Sequence, residues 1–282
     1  MKLKNKNIIV TGAGRGIGRE IAITASEQGA NIALIARTQS ELEETFNLLS
    51  KTGKNHFYSL DISNISETQI IFKKIFNEYH KIDGLVNNAG IQKPIGPFHE
   101  VSLQEWIYNM EVNLFGTLSC TKEALKYMMS VSKGKIVNLS GGGSTSPRIN
   151  FSAYGVSKTA VVRFTETLAV ELKQYGIDVN AIAPGAVNTK MLDEILENKS
   201  AAGLEYTEAV NRKEHGGNTP RVADYLVCYL LSSDSDGITG KLISAPWDPW
   251  QTQEFQNLLR QDKDIATLRR IDNKTFYKKT SS

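Results

Sequence analysis

The sequence is poor in the residues that would build a metal site or a disulfide framework. Its 282 residues include two cysteines, Cys120 and Cys228, far apart and without a C-x-x-C pattern, so neither a disulfide network nor a cysteine zinc site is written here. The four histidines, His56, His80, His99 and His215, are scattered without ligand spacing, and no metal is expected. Long apolar runs are missing as well. No stretch approaches the roughly 18–20 residues of a membrane span. The basic N-terminus carries an apolar run of only three residues that leads straight into a glycine turn, which is no signal peptide. The expectation is a soluble, cytoplasmic protein with no membrane partner. An excess of one charge is also lacking: the first 245 residues hold 26 basic and 25 acidic side chains. So neutral a body lacks the basic face of a nucleic-acid-binding domain, and no nucleic-acid partner is expected. With seven prolines in the whole chain, no Pro/Ser/Gly-rich linker divides the body.

What is present is ordinary globular composition, 40% strongly apolar and 22% charged, with length enough for one large core. Short β-branched runs alternate with longer amphipathic segments. Strands are expected at 7–10, 31–36, 56–60, 84–87, 135–139, 178–183 and 241–244. Helices are expected at 16–28, 40–51, 66–79, within 102–129, at 154–175 and at 221–231. Strands that are apolar throughout, each followed by a helix, indicate a parallel sheet covered on both faces. Two segments break the alternation. Residues 189–219 are polar and glycine-containing and would hang over the C-terminal ends of the strands, where ligands bind. Residues 245–282 follow the last strand.

Three constellations carry chemistry. Thr11-Gly12-Ala13-Gly14-Arg15-Gly16-Ile17-Gly18 lies between the first strand and the first helix, where glycines let the backbone approach a pyrophosphate at a helix N-terminus. Asn87-Asn88-Ala89-Gly90 ends the fourth strand, where side-chain amides can tie strands together and the loop can line a cofactor cleft. Tyr154-x-x-x-Lys158 puts a phenol and an ammonium one turn apart on one helix face. A phenol with pKa near 10 is a poor proton donor or acceptor at neutral pH, and a close ammonium favours the phenolate. Ten tyrosines and 23 lysines would give about one such pair by chance, so the pair gains weight from its surroundings.

In this order and at these positions between strands, the motifs resemble the short-chain dehydrogenase/reductase family, from about residue 6 to residue 244. The resemblance also includes Asp61 after the third strand, Asn113 in Val-Asn-Leu, and Pro184-Gly185 with Val187 and Thr189. It implies a single doubly wound α/β domain of Rossmann type, with a parallel seven-stranded sheet flanked by helices. Residues 1–244 would form the dinucleotide-binding oxidoreductase domain, 189–219 its substrate lid, and 245–282 a C-terminal extension. It further implies that Tyr154 exchanges a proton with the substrate oxygen and that Lys158 lowers its pKa and holds the nicotinamide ribose. Asn113 would position a water linking Lys158 to solvent. Gly12, Gly14, Gly16, Ile17 and Gly18 would form the phosphate turn. Asp61 and Ile62 would sit at the adenine, with Asn88, Ala89 and Gly90 along the adenosine side. Pro184, Gly185, Val187 and Thr189 would surround the nicotinamide. Family members are commonly homodimers or homotetramers, and the same is expected here.

An acidic residue ends the second strand in NAD-preferring dinucleotide folds. Here Ala36 occupies that place, followed by Arg37 and Thr38, and Arg37 with Arg15 could form a cationic pocket for a 2′-phosphate. NADP(H) is therefore expected in preference to NAD(H). The family's catalytic serine, thirteen residues before the tyrosine, is absent: that position is Gly141. Losing one preorganised donor typically costs about 2.7–4 kcal/mol of transition-state stabilisation. Ser144 in the glycine loop, Ser140 on the strand, or the substrate's own hydroxyls could supply the missing donor. A cofactor-binding regulator and a lyase or epimerase are the rival classes. The residues facing the expected cleft, Arg148, Asn150, Lys190, Lys199, Arg212, Lys213 and His215, are polar or basic. They suggest a polar small molecule, sugar-like or linked to a nucleotide. In the extension, Trp247 and Trp250 flank a proline turn and a helix is expected at 252–260; burial of the tryptophans would anchor the tail, while Arg269 or Arg270 could instead meet an anion in the cleft.

Overall fold

A computed structural model describes residues 1–186, 190–216 and 221–271. The strands are β1 (Asn7–Thr11), β2 (Asn31–Ala36), β3 (His56–Ser59), β4 (Gly84–Asn87), β5 (Gly134–Leu139), β6 (Ile177–Ala183) and β7 (Leu242–Ser244). The helices are α1 (Gly16–Glu27), α2 (Gln39–Leu48), α3 (Ile65–Tyr79), α4 (Leu103–Met110), α5 (Thr117–Met128), α6 (Ser152–Glu171), α7 (Lys190–Glu197), α8 (Lys199–Ala202), α9 (Leu204–His215), α10 (Arg221–Leu231) and α11 (Gln253–Gln261). The strands form one parallel sheet in the order β3-β2-β1-β4-β5-β6-β7. The chain starts at the centre, runs outward to β3, then crosses to β4 on the other side of β1. Connections therefore leave in opposite directions at the C-terminal ends of β1 and β4, which opens a crevice there.

The apolar strand sequences follow from burial on both faces. One layer packs Ile8, Val10 and Leu34 against Ile21, Ala22, Leu226 and Cys228 of α1 and α10. The opposite layer packs Ile9, Ile35 and Leu85 against Phe72, Ile75, Cys120 and Met128 of α3 and α5. The two cysteines thus lie in different layers. Burial pushes the Cys120 thiol up to about 12 and the Cys228 thiol higher still, so both act as small apolar residues.

Two regions depart from expectation. The helical stretch at 102–129 is interrupted by a π-helical turn, Glu111–Gly116, between α4 and α5. Such turns are uncommon and favour functional positions; this one carries Asn113. Among the described residues, the polar segment after β6 forms three helices. Its apolar residues Leu192, Ile195, Ala202 and Ala209 share one face and pack on Phe151, Ile95 and Tyr154. The spacing of Met191, Leu192, Ile195 and Leu196 is a helical stripe that the surrounding charges obscure.

The described part of the extension, up to residue 271, folds back on the sheet. Leu242 donates its N–H to the Ala266 carbonyl, and Lys241 Nζ donates to the Asp262 and Ile265 carbonyls at 2.6 and 3.0 Å. The Leu268 N–H meets the Glu166 carboxylate of α6 at 2.6 Å, and Arg269 lies 3.1 Å from Asp264 and 3.7 Å from Glu166. Arg269 is thus engaged away from the cleft. Trp250 is buried against Tyr229 and donates to the Ala245 carbonyl at 3.1 Å. Trp247 does not follow: it is 79% exposed, so one tryptophan anchors the tail and the other does not. The adjacent helix is capped by Thr252, whose hydroxyl accepts from the Phe255 N–H, as an N-cap residue should.

Candidate active site

The nucleotide end is built by close approach of backbones. Gly12 and Gly16 have left-handed φ of 64° and 55°, which L side chains adopt at a cost. A β-carbon on Gly12 would stand 2.7 Å from Asn88 Nδ2, and one on Gly18 would collide with the Gly12 carbonyl. The Asn88 amide in turn donates to the Thr11 and Gly12 carbonyls at 3.0 and 3.1 Å, tying the β4 loop to the turn after β1. Helix α1 starts at Gly16 with no acidic residue in its first turn and no side-chain cap, so its first N–H groups remain available to an anion. These features fit a dinucleotide pyrophosphate. A cleft of about 290 Å³ is lined here by Gly12, Gly14, Arg15, Gly16 and Ile17, by Arg37 and Thr38, by Asp61 and Ile62, and by Asn88, Ala89 and Gly90. Gly18 does not line it; its lack of a side chain serves the contact between α1 and the turn.

The cleft is more acidic than the sequence suggests. Arg15 is held by Glu41 of α2 at 2.6 Å, and Arg37 donates to the Tyr108 hydroxyl at 3.2 Å with Asp61 3.9 Å away. Lys190, Met191 and Glu194 of α7 also line it. Burial holds the Glu194 carboxyl above the usual range, against the opposing pull of Lys93, Lys190 and Arg15, and its Oε2 has no hydrogen-bond partner. Glu41 and Glu194 are invisible to motif reading because they come from helices remote in sequence.

A second cavity of about 840 Å³ is lined by Tyr154, Lys158, the loop from Leu139 to Arg148, Pro184 and Gly185, residues of α7 and α9, and Trp247 with Asp248. Ile17, Asn88 and Met191 line both spaces, so they form one continuous cleft. Val187 and Thr189 lie outside the described residues. Tyr154 and Lys158 are both buried on α6. Lys158 Nζ donates to the Leu139 carbonyl at 2.8 Å, and burial pulls its pKa down to about 8. No carboxylate among the described residues pairs with it, and its remaining N–H donors suit neutral acceptors such as ribose hydroxyls. Asn113 is also buried: its amide donates to the Ile91 carbonyl, Asn109 Oδ1 and Ser157 Oγ, while its Oδ1 accepts from the Ile91 N–H at 2.8 Å. Gly90 keeps the space between Asn113 and Lys158 clear, since a β-carbon there would stand 3.0 Å from Asn113 Oδ1 and 3.3 Å from Lys158 Nζ.

Burial pushes the Tyr154 phenol up, and the cation that opposes this is Arg148, not the expected Lys158. Lys158 Nζ lies 5.7 Å from the phenol ring centroid, and the Arg148 guanidinium 5.6 Å. Arg148 stacks 3.8 Å over Phe151 and forms a two-pronged pair with Glu205 of α9, both bonds 2.8 Å. The glycine loop makes room for both groups: a β-carbon on Gly141 would collide with the Tyr154 hydroxyl, and one on Gly143 would stand 3.2 Å from Arg148 Cβ. The place a serine would fill is thus occupied by the phenol itself. Ser140 and Ser144 are buried at the wall of this cavity. The Ser140 hydroxyl, just past the end of β5, has no hydrogen-bond partner, while Ser144 offers its carbonyl to Thr159 at 3.2 Å. The cleft is also less basic than its sequence. Glu205 neutralises Arg148, Lys213 lies 3.5 Å from Asp193, and the His215 side chain is outside the described set.

The short-chain dehydrogenase family profile matches residues 6–200, and the chain belongs to that family. It is a short-chain oxidoreductase that interconverts a carbonyl and an alcohol, with a nicotinamide dinucleotide as cofactor. Among particular relatives, it is 30% identical over 243 residues to the 3-oxoacyl-[acyl-carrier-protein] reductase FabG of Vibrio cholerae, covering 86% of this chain and 96% of that protein. NAD+-bound xylitol dehydrogenase has a similar structure, with a TM-score of 0.81 and 27% identity over 86% of this chain and 98% of that one. Actinorhodin polyketide ketoreductase with NADPH gives 0.79 and 29% over 85% and 95%.

Proposed function

We propose that this oxidoreductase uses NADP(H) in preference to NAD(H) and acts on a polar, sugar-like carbonyl or alcohol, with Tyr154 as the acid/base. The observation that carries the reading is the buried Tyr154–Lys158 pair at the base of a cleft continuous with the open N-terminus of α1. When bound, the reduced nicotinamide supplies a hydride to the carbonyl carbon. Tyr154 gives its phenolic proton to the carbonyl oxygen and takes one back from the alcohol in the reverse direction. Lys158 holds the ribose, while Arg148 is the cation that opposes the upward push of burial on the phenol. Asn113 fixes the π-turn against Ile91 and keeps a proton path beside Lys158. The hydroxyl of Ser144, or that of Ser140, serves the substrate oxygen in place of the serine absent at Gly141.

The preference for NADP(H) rests on Ala36 at the end of β2, the place of the acidic residue in NAD-preferring folds, and on Arg15 and Arg37 lining the same end of the cleft. The Arg15–Glu41 pair, with side chains 45% and 28% exposed, does not prevent this. Exposed ion pairs are worth about 0–1 kcal/mol, less than a phosphate gains from a guanidinium fork. The test is NADPH against NADH oxidation over a panel of carbonyls, with wild type and Ala36→Asp. Wild type should favour NADPH, and the variant should shift the kcat/KM ratio toward NADH by on the order of tenfold or more, about 1.4 kcal/mol. An NADH preference in wild type would contradict the assignment.

A further inference from the structure

Arg15 and Arg37 both line the nucleotide end of the cleft, but their charges are not equally available. Arg15 is paired with the Glu41 carboxylate at 2.6 Å. Arg37 Nη1 donates instead to a neutral group, the Tyr108 hydroxyl, at 3.2 Å. The same nitrogen stands 3.9 Å from Asp61 Oδ2, too far for a hydrogen bond. The other oxygen of Asp61 is turned to Ser63, accepting its N–H at 3.0 Å and its hydroxyl at 2.8 Å. Among the described residues, no further side chain bonds the Arg37 guanidinium. One of its N–H donors is thus engaged by a neutral acceptor, and the rest of the fork is open to a ligand.

Both ends of the Arg37–Tyr108 bond are fixed from elsewhere in the fold. The Arg37 carbonyl accepts the Ser59 hydroxyl at 3.0 Å, which ties the base of the arginine to β3. Tyr108 comes from α4, where its neighbour Asn109 is fully buried and donates to the Ile91 and Lys93 carbonyls at 3.2 and 2.7 Å. Helix α4 cannot slide without breaking those bonds, so the phenol is presented at a fixed place. Tyr108 itself does not line the cleft; it reaches the cleft through Arg37. An arginine with a half-exposed side chain has many rotamers, and ordering it on binding costs affinity. A neutral tether removes part of that cost and leaves the charge intact. A carboxylate tether would fix the side chain and cancel the charge, as Glu41 does for Arg15. Without the hydroxyl, Arg37 would close the remaining gap to Asp61 and lose the charge that meets a phosphate.

We propose that Tyr108 is the positioning residue for cofactor choice: its hydroxyl holds Arg37 off Asp61 and presents the guanidinium to the 2′-phosphate of NADP(H). The proposal rests on the NADP(H) reading of this cleft and makes Arg37, in preference to Arg15, the main reader of the phosphate.

The test is calorimetric titration of the full chain with adenosine 2′,5′-bisphosphate and with 5′-AMP, which differ only in the 2′-phosphate. Wild type should bind the bisphosphate more tightly. Tyr108→Phe, which keeps the ring and deletes the hydroxyl, should lower that preference about fivefold and leave 5′-AMP affinity unchanged. In an Arg37→Met background the same change should have no further effect, because the hydroxyl acts only through the guanidinium. An unaltered preference in Tyr108→Phe, or tighter binding of the bisphosphate, would overturn the proposal. So would an equal loss for both nucleotides, which would make Tyr108 structural, or a loss that persists in the Arg37→Met background. If wild type does not distinguish the two nucleotides, the NADP(H) reading falls and the proposal falls with it. A preference that is present in wild type and survives in Tyr108→Phe overturns the proposal alone.

Discussion

The two halves of the cleft are built in different ways. The nucleotide half is made by backbone: turns after β1 and β4, glycines where chains nearly touch, and an uncapped helix end. The substrate half is made by side chains from α6, α7, α9 and the turn after β7, brought together by packing. Backbone sites need glycine at fixed spacing and leave a sequence signature. Side-chain sites tolerate many residues and leave little. The first half can therefore accept one dinucleotide scaffold throughout a family, while the second is free to differ from member to member.

The contrast is sharpest at Lys158, which belongs to both halves. Lys158→Met should lower kcat by on the order of a hundredfold or more, because the buried ammonium that holds the ribose beside the phenol is gone. The same change should stabilise the protein measured without cofactor. Burial lowers the Lys158 pKa from 10.5 to about 8, so the unfolded chain binds the extra proton between those values. Carrying the ammonium thus costs stability in full below pH 8, by on the order of 3 kcal/mol, and the cost fades as pH rises through 10.5. Thermal unfolding of the variant should exceed wild type at pH 7 and converge on it near pH 10.5. A variant less stable at pH 7 would mean that Lys158 is structural and would merge the two halves.

A smaller effect is expected at Glu194, where α7 meets the nucleotide half. Burial raises its pKa, and its ionised form faces a cleft meant for a polyanion. Binding of NADPH should therefore weaken as pH rises through the Glu194 titration. Glu194→Gln should bind about threefold tighter at neutral pH, about 0.65 kcal/mol, with a flatter pH dependence. An identical pH profile in wild type and variant would remove Glu194 from the nucleotide site.

The sheet was legible in the sequence because a parallel strand buried on both faces is a continuous apolar run. Strands β2 and β4 were read at their observed ends, and the others within a residue or so. The phosphate turn and the Tyr154–Lys158 pair were legible because helix and turn geometry fix which neighbours in sequence share a face. Helices α7 to α9 were not. Their charged residues face outward and hide a short apolar stripe whose partners, Phe151, Ile95 and Tyr154, lie far away in sequence. The pairing of Arg15 with Glu41, and of Arg148 with Glu205, was hidden for the same reason, so basic residues that looked like a cationic cleft are partly neutralised. Trp247 and Trp250 are three residues apart in one turn and have opposite fates, which composition cannot distinguish.

Gly141 belongs to the substrate half, where its missing side chain makes room for the Tyr154 hydroxyl. The central claim is that this phenol moves the proton. Turnover of NADPH with a carbonyl substrate by Tyr154→Phe, which keeps the ring and deletes only the hydroxyl, tests it most directly. A loss of kcat on the order of 10² to 10⁴, with NADPH affinity retained, is the predicted result. Turnover within a few-fold of wild type would contradict the account.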